Sequence, residues 1–396
     1  MSGSMRAVKA QYFLAYAPLG SLGPLLPIFL KHGKGFVESQ FGILIALTAI
    51  SMVVTPVLLA FLADTRVDSR RLLTAAYLIA AATLIAIFFA GGVVTVSLLY
   101  LVYSLAIMPT LPLTDALFFS VERAAESEGR RVSPYQFVRI WGTIGFIVPS
   151  LLLYFLLRGR DGAGAIMWVA TAFCLLAAAN AALLPRVRIA GAPGVRGRAG
   201  LPTLDALGTL FGPGTRVFCL AMFLAFMSAI TYGNLFPHYL RDIAGVGEDS
   251  IGLVMNIGVV LEIFFMWGFG PLRRRLRLKG VLVLGIFSMV LRVSLLATFP
   301  GVATALAVQV LHGMEALALY VVPVIYIDRL AGDGFRSSIQ GAYMMTVLAS
   351  SRMFGALISG WIGEGSVIAA FYFAAAVSSM ALIVLLFFFK PIQVRD

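Results

Sequence analysis

The sequence predicts an all-α integral membrane protein of twelve transmembrane helices, arranged as two six-helix bundles with pseudo-twofold symmetry. Three observations predict it. Of 396 residues, 60% are hydrophobic and only 12% are charged, with a mean hydropathy of +0.96, a balance foreign to soluble domains of this length. Apolar runs of about 18 residues or more, enough to cross the hydrocarbon core of a bilayer, recur along the whole chain. The Lys and Arg residues gather in alternate connections between those runs.

Taken in order, the spans cover Lys9–Leu30, Ser39–Ala63, Leu72–Ala90, Val93–Ser120, Tyr135–Leu157 and Ala163–Leu184, then Thr215–Leu240, Ser250–Gly270, Gly280–Phe299, Gly301–Asp328, Ser337–Trp361 and Val367–Phe389. The first is too long for the apolar region of a signal peptide and has no small-residue cleavage site beside it, so it reads as a retained helix. A polar, Gly/Pro/Arg-rich stretch divides the chain near its midpoint. The expected domains are therefore an N-terminal bundle over 1–184, a cytoplasmic linker over 185–214 and a C-terminal bundle over 215–396. With both termini inside, 22 of the 30 Lys and Arg residues fall in cytoplasmic segments and five outside. That bias fixes a multi-pass protein of the cell (inner) membrane with cytoplasmic N- and C-termini. The net charge of +12 is spread between spans, which reads as a topology signal and argues against a nucleic-acid partner. Cys174 and Cys219 lie inside apolar runs and form no metal or redox motif.

Six spans, a basic linker and six more spans is the layout of a two-half transporter whose halves contain inverted repeats. Spans three, six and twelve carry no Asp, Glu, Lys, Arg or His, as expected of helices facing lipid on most sides. Span nine, with Arg292, is the exception to an every-third-helix rule.

The ionisable residues at membrane depth are the functional candidates, because each costs at least ~2.5 kcal/mol to insert. Span ten carries His312 and Glu315 three residues apart, on one helix face. Both residue types can titrate near neutral pH when buried, so the pair can carry a proton; the alternative is a structural pair that locks helix to helix. Asp115 in span four and Arg139 in span five are expected to pair or to share a cavity. Glu262, Arg292 and Arg352 place an acid and two arginines in spans eight, nine and eleven. Two arginines can balance the acids Glu262 and Glu315, and protonating one acid frees its arginine to re-pair. Gln11, Tyr12, Tyr16, Asn234 and Asn256 are weaker cavity-lining candidates, and His238 reads as a residue at the membrane surface. Trp141 and Phe146 are candidates to stack on a ring. The charged turn after span two, with Asp64, Arg66, Asp68, Arg70 and Arg71, can act as a gate latch. Pro18, Gly20, Gly23, Pro24 and Pro27 in span one and Pro323 in span ten predict broken helices. The sequence contains no P-loop, no GxSxG and no metal-ligand cluster, so no enzyme, cofactor or metal site is expected.

The segments ADTRVDSRR, LPLTDALFF, VRIWGTIGF, LEIFFMWGFGPLRRR, LHGMEAL, YIDRL and SSIQGAYMM, in that order and spacing, resemble the major facilitator superfamily. The resemblance spans nearly the whole chain. It points to the branch of lactose permease-type, nucleoside:proton symporter and phenylpropionate permease-like proteins. It implies Arg139 and Glu262 for substrate, with Asp115 matching the family's acid in span four and Phe146 a candidate for its stacking ring; Tyr16 and Asn234 join them as the cavity-lining candidates above. It implies Glu315 with His312 and Arg292 for the proton. It implies Asp64, Arg70 and Arg71 for gating, although Ala60 stands where the family's loop motif has Gly and the two arginines come one residue late. The leading expectation is a proton-coupled symporter of a small polar organic solute, sugar or nucleoside first, working by alternating access as a monomer among membrane lipids. Proton-coupled uptake of an aromatic acid, a drug or metabolite efflux antiporter, and a non-transporting sensor are the alternatives.

Overall fold

A computed structural model describes residues 2–64, 68–127, 129, 135–158, 163–185, 204–331 and 336–390. Among them, helices account for nearly everything, and each of the twelve expected spans has a counterpart. Helix α1 is a broken span, Met5–Leu22 followed by Leu26–Gly33 after a bend of 41°. The break falls at Gly23 and Pro24, where glycine lowers helix propensity and proline supplies no N–H. Helix α2 is Glu38–Leu47 continued by Ala49–Asp64. Helices α3 (Ser69–Phe89), α4 (Val93–Glu126), α5 (Tyr135–Leu157) and α6 (Ala165–Leu183) complete the first six.

Helix α7 is Arg216–Ile243. A helical stretch of 51 residues, Glu248–Thr298, follows. At 1.5 Å per residue it would be about 76 Å long, more than twice a bilayer core. It is two spans: Arg277 takes φ 57° and breaks it into α8 (residues 248–276) and α9 (residues 278–298). Helices α10 (Val302–Ile327), α11 (Ile339–Gly365) and α12 (Val367–Phe388) end the chain.

The chain forms two compact units, one of Met1–Gly35 with Val54–Ala199 and one of Phe36–Val53 with Gly200–Asp396. In the first unit α1 packs on α5 and α6, and α3 on α4 and α6. The α1–α5 contact is close because it is made at glycines. A side chain at Gly20 would run into the backbone of Phe146, and one at Gly145 into the backbone of Phe13. In the second unit α7 packs on α11 and α12, and α10 on the α8–α9 segment. The first half of α2 lies against α11, where Arg352 Nε donates to Thr48 Oγ1 at 2.6 Å.

Helix α9 resolves the exception among the peripheral spans. Leu284, Phe287 and Leu291 on it are exposed, while Arg292 is 1% exposed. The helix presents apolar residues outward and sends Arg292 inward. His238, expected at the membrane surface, is buried with its ring edge toward Phe41.

Candidate functional site

The geometry of the second unit's site begins with the shape of α10. It is not a uniform helix. An α-turn over Val302–Ala307 tightens to a 3₁₀ turn over Val308–Leu311, returns to α over His312–Ala316 and widens to a π turn over Leu317–Val321. Such departures are common at functional sites. Pro323 falls in the first turn of the next helical stretch, just past the widened turn. Gln309, His312 and Glu315, each three residues apart, share the face that looks toward α9.

Arg292 crosses from α9 into this face and engages it through both terminal nitrogens, while its Nε is buried without a hydrogen-bond partner. Its Nη1 donates to Glu315 Oε2 at 2.9 Å and lies 2.9 Å from His312 Nδ1. Its Nη2 donates to Gln309 Oε1 at 3.0 Å and to the Tyr232 hydroxyl of α7. The guanidinium also stacks on the Tyr232 ring, 3.7 Å from its centroid. Charge pairing, hydrogen bonds and a π face together offset the cost of burying the cation. Gly285 permits the approach, because any side chain there would strike Ala318 and the backbone of Met314 on α10.

These contacts fix the histidine. A guanidinium only donates, so His312 Nδ1 must accept, and the ring's proton sits on Nε2. That nitrogen is 3.7 Å from Glu262 Oε2 on α8, with both side chains about a quarter exposed. The result is one connected line: Glu262, His312, Arg292, Glu315. A fully buried acid lies at one end and a partly exposed acid at the other. Protonating His312 would turn Nδ1 into a donor and break its bond to Arg292, so the line holds only with a neutral ring. Asn234 of α7 lies in the same unit, with its Nδ2 buried and unbonded among the described residues.

The first unit holds a second cluster. Asp115 Oδ1 accepts from the hydroxyls of Tyr12 at 2.6 Å and Tyr135 at 2.9 Å. Tyr135 in turn stacks on Phe119. Arg139 lies over the Tyr16 ring, 4.2 Å from its centroid. Asp115 and Arg139 therefore form no direct ion pair among the described contacts; Asp115 is held by Tyr12 and Tyr135, and Arg139 lies over Tyr16. Gly142 is the reason Arg139 fits, since a Cβ there would come within 2.8 Å of its Nη1 and 2.7 Å of the Tyr16 ring. Phe146 lies two turns further along α5. Its backbone meets Gly20, and the tip of its ring packs against Gly23 of α1. Gln11 accepts from Asn180 of α6 at 2.8 Å, an interhelical tie.

The expected gate residues separate. The Asp64 side chain and Arg66 lie outside the described residues. Arg70 is bound to Asp68 at 3.3 Å and donates to the carbonyls of Ala182 and Leu184 at the end of α6. Arg71 is exposed.

Tyr135, Tyr232 and Gln309 are the site residues that the sequence reading missed. Gln309 had a signal, a polar residue three before His312 in an apolar span. Tyr135 had one too, a position one turn before Arg139. Tyr232 had none, because an aromatic in a membrane helix is unremarked until its neighbours are known.

Residues 5–374 match the model of the MFS_1 like family. The chain belongs to that family. It is thus a multi-pass membrane protein of the major facilitator superfamily. Among curated relatives, this MFS_1-like chain is 23% identical to the xanthosine permease of Escherichia coli over 91% of its own length and 88% of the relative's. It is 24% identical to the nucleoside permease NupG of Escherichia coli, over 90% and 87%. It is 26% identical to the maltose permease of Geobacillus stearothermophilus, over 91% and 88%. A crystal structure of NupG superposes with a TM-score of 0.82 at 21% identity, over 96% of this chain and 97% of that one, which supports the fold.

Proposed function

We propose that this protein is a proton-coupled transporter that takes up a nucleoside by alternating access, from the outer to the cytoplasmic side of the inner membrane. The observation that carries the proposal is the line from Glu262 through His312 and Arg292 to Glu315, in a family whose relatives include a xanthosine permease and a nucleoside permease.

Glu315 is the proton carrier. While ionised it neutralises Arg292. Once protonated it leaves the buried guanidinium facing neutral acceptors, and the nearest remaining negative charge along the line is Glu262. The cation then favours Glu262 in its ionised form through the intervening ring, which prepares that acid to accept hydroxyl groups of a sugar moiety. Release of the proton restores the Arg292–Glu315 pair and removes that preference. Glu262 and His312 form the substrate side of the line, where both side chains are partly exposed. In the first unit, the Arg139–Tyr16 pair with Tyr12, Asp115 and Tyr135 supplies donors, an acceptor and ring faces, the groups that a ribose with a planar base requires.

The test is uptake by purified protein in proteoliposomes with an imposed inward proton gradient. Xanthosine, uridine and adenosine are to be compared with maltose, lactose and phenylpropionate. Accumulation of a nucleoside that the sugars and the aromatic acid fail to compete is expected. Accumulation of maltose with indifference to nucleosides would transfer the assignment to an oligosaccharide.

A further inference from the structure

Helix α3 opens with two arginines, Arg70 and Arg71, in its first turn, the positive end of the helix dipole and the less favourable end for a cation. Arg70 is compensated by Asp68 and by the carbonyls that end α6. Arg71 forms no hydrogen bond or ion pair with any described residue. It borders a groove of about 340 Å³ between α3 and α6, lined by Arg70, Arg71, Thr74, Ala75, Leu78 and Ala182. Along α3 the lining runs from two guanidiniums through a hydroxyl to Ala75 and Leu78. Positions 71, 75 and 78 share one helix face and span about 10 Å. Leu78 is 48% exposed, and Leu183 beside the groove on α6 is 74% exposed, as expected of surfaces that meet lipid tails.

We infer that this groove is a binding site for one anionic phospholipid, whose phosphate meets Arg71 and Arg70 and whose acyl chain lies along Ala75 and Leu78. The order of the lining, cation, hydroxyl, then apolar wall, matches the order of phosphate, glycerol and acyl chain. A soluble phosphate would use only the first part. A zwitterionic headgroup would bring its own cation to the arginines and cancel the attraction. The Lys/Arg asymmetry places this end of α3 at the cytoplasmic leaflet, where basic pockets between transmembrane helices select anionic headgroups. Bound there, the lipid supplies a counter-charge to Arg71, which pairs with no described residue, and fastens α3 to α6 from outside.

Native mass spectrometry of the full chain in a delipidating detergent tests this. It is to be titrated with phosphatidylglycerol, with phosphatidylcholine of the same acyl chains, and with soluble glycerol phosphate. Wild type is expected to hold one phosphatidylglycerol about fivefold or more tightly than phosphatidylcholine, the selectivity of roughly one arginine. Arg71→Gln should lose that preference, Arg71→Lys should keep most of it, and Leu78→Ala should weaken both lipids alike. Arg158→Gln, which removes an exposed cation elsewhere in the same unit, should leave the preference unchanged. Folding of each variant is to be checked by size exclusion, and Arg71→Lys and Leu78→Ala keep the test alive if the glutamine variant fails to fold. Undiminished selectivity in Arg71→Gln, an equal loss in Arg158→Gln, or full competition by glycerol phosphate would overturn the assignment. Binding is read without transport, so either result leaves the uptake proposal untouched.

Discussion

Arg292 has four of its N–H groups committed and is buried with one acid. Removing it leaves Glu315 buried without its cation, a loss of about 3–5 kcal/mol. Arg292→Ala should therefore lower the thermal unfolding midpoint in detergent markedly, and adding Glu315→Gln to it should restore part of the loss. An additive or worse double variant would show that the pair is not the source of the cost. At Gly142 the expected effect is functional: Gly142→Ala pushes Arg139 off the Tyr16 ring, a cation–π contact of about 0.5–2 kcal/mol. Substrate KM should rise by about twofold to thirtyfold, the factor those energies give, while the unfolding midpoint moves little; an unchanged KM would remove Arg139 from the binding site. The charged residues of both clusters were legible in the sequence because charge at membrane depth is rare. Their pairing was not. Whether Arg292 or Arg352 meets Glu315 depends on which helix faces touch, and no spacing within one span encodes that.

At the scale of the element, breaks are easier to foresee than their form. Pro24 and Gly23 mark the bend in α1, whereas at Pro323, where a break is expected, α10 runs on as one span and only its turn type changes. The 3₁₀ turn before His312 had no sequence signature; the π turn after it ends two residues before Pro323, whose missing N–H leaves the carbonyl of Leu319 without its α-helical partner. The GTIGF stretch of α5 shows the same limit. Its glycines, weighed in the sequence only as a motif, are where α1 and α5 close on each other and where Arg139 finds room. The turn between α8 and α9 gives a prediction of its own. Arg277 holds a left-handed backbone that costs a non-glycine residue about 1–2 kcal/mol. Arg277→Gly should relieve it, less glycine's greater entropy in the unfolded chain, for a net gain of about 0.5–1 kcal/mol. A higher unfolding midpoint is expected, and a lower one would show that the arginine side chain contributes more than the strain removes.

For the whole molecule, hydropathy and charge asymmetry were enough to read twelve spans, because the bilayer imposes length and composition on every crossing. The spans without ionisable residues, and α9 with its single inward arginine, follow from the same constraint. Substrate identity does not follow from it. Sugar- and nucleoside-carrying relatives align with this chain at similar identity, and the discriminating groups are a few side chains whose positions only the fold brings together.

The central claim is that Glu315 carries the proton and is separable from the substrate side of the line. Its most direct test is Glu315→Gln in proteoliposomes, with nucleoside accumulation and external pH followed together. If the claim holds, wild type accumulates nucleoside with alkalinisation outside. The variant still exchanges labelled for unlabelled nucleoside at equilibrium, yet neither accumulates it nor moves protons. Continued accumulation against a gradient by Glu315→Gln would contradict the mechanism and return Glu315 to a structural role beside Arg292.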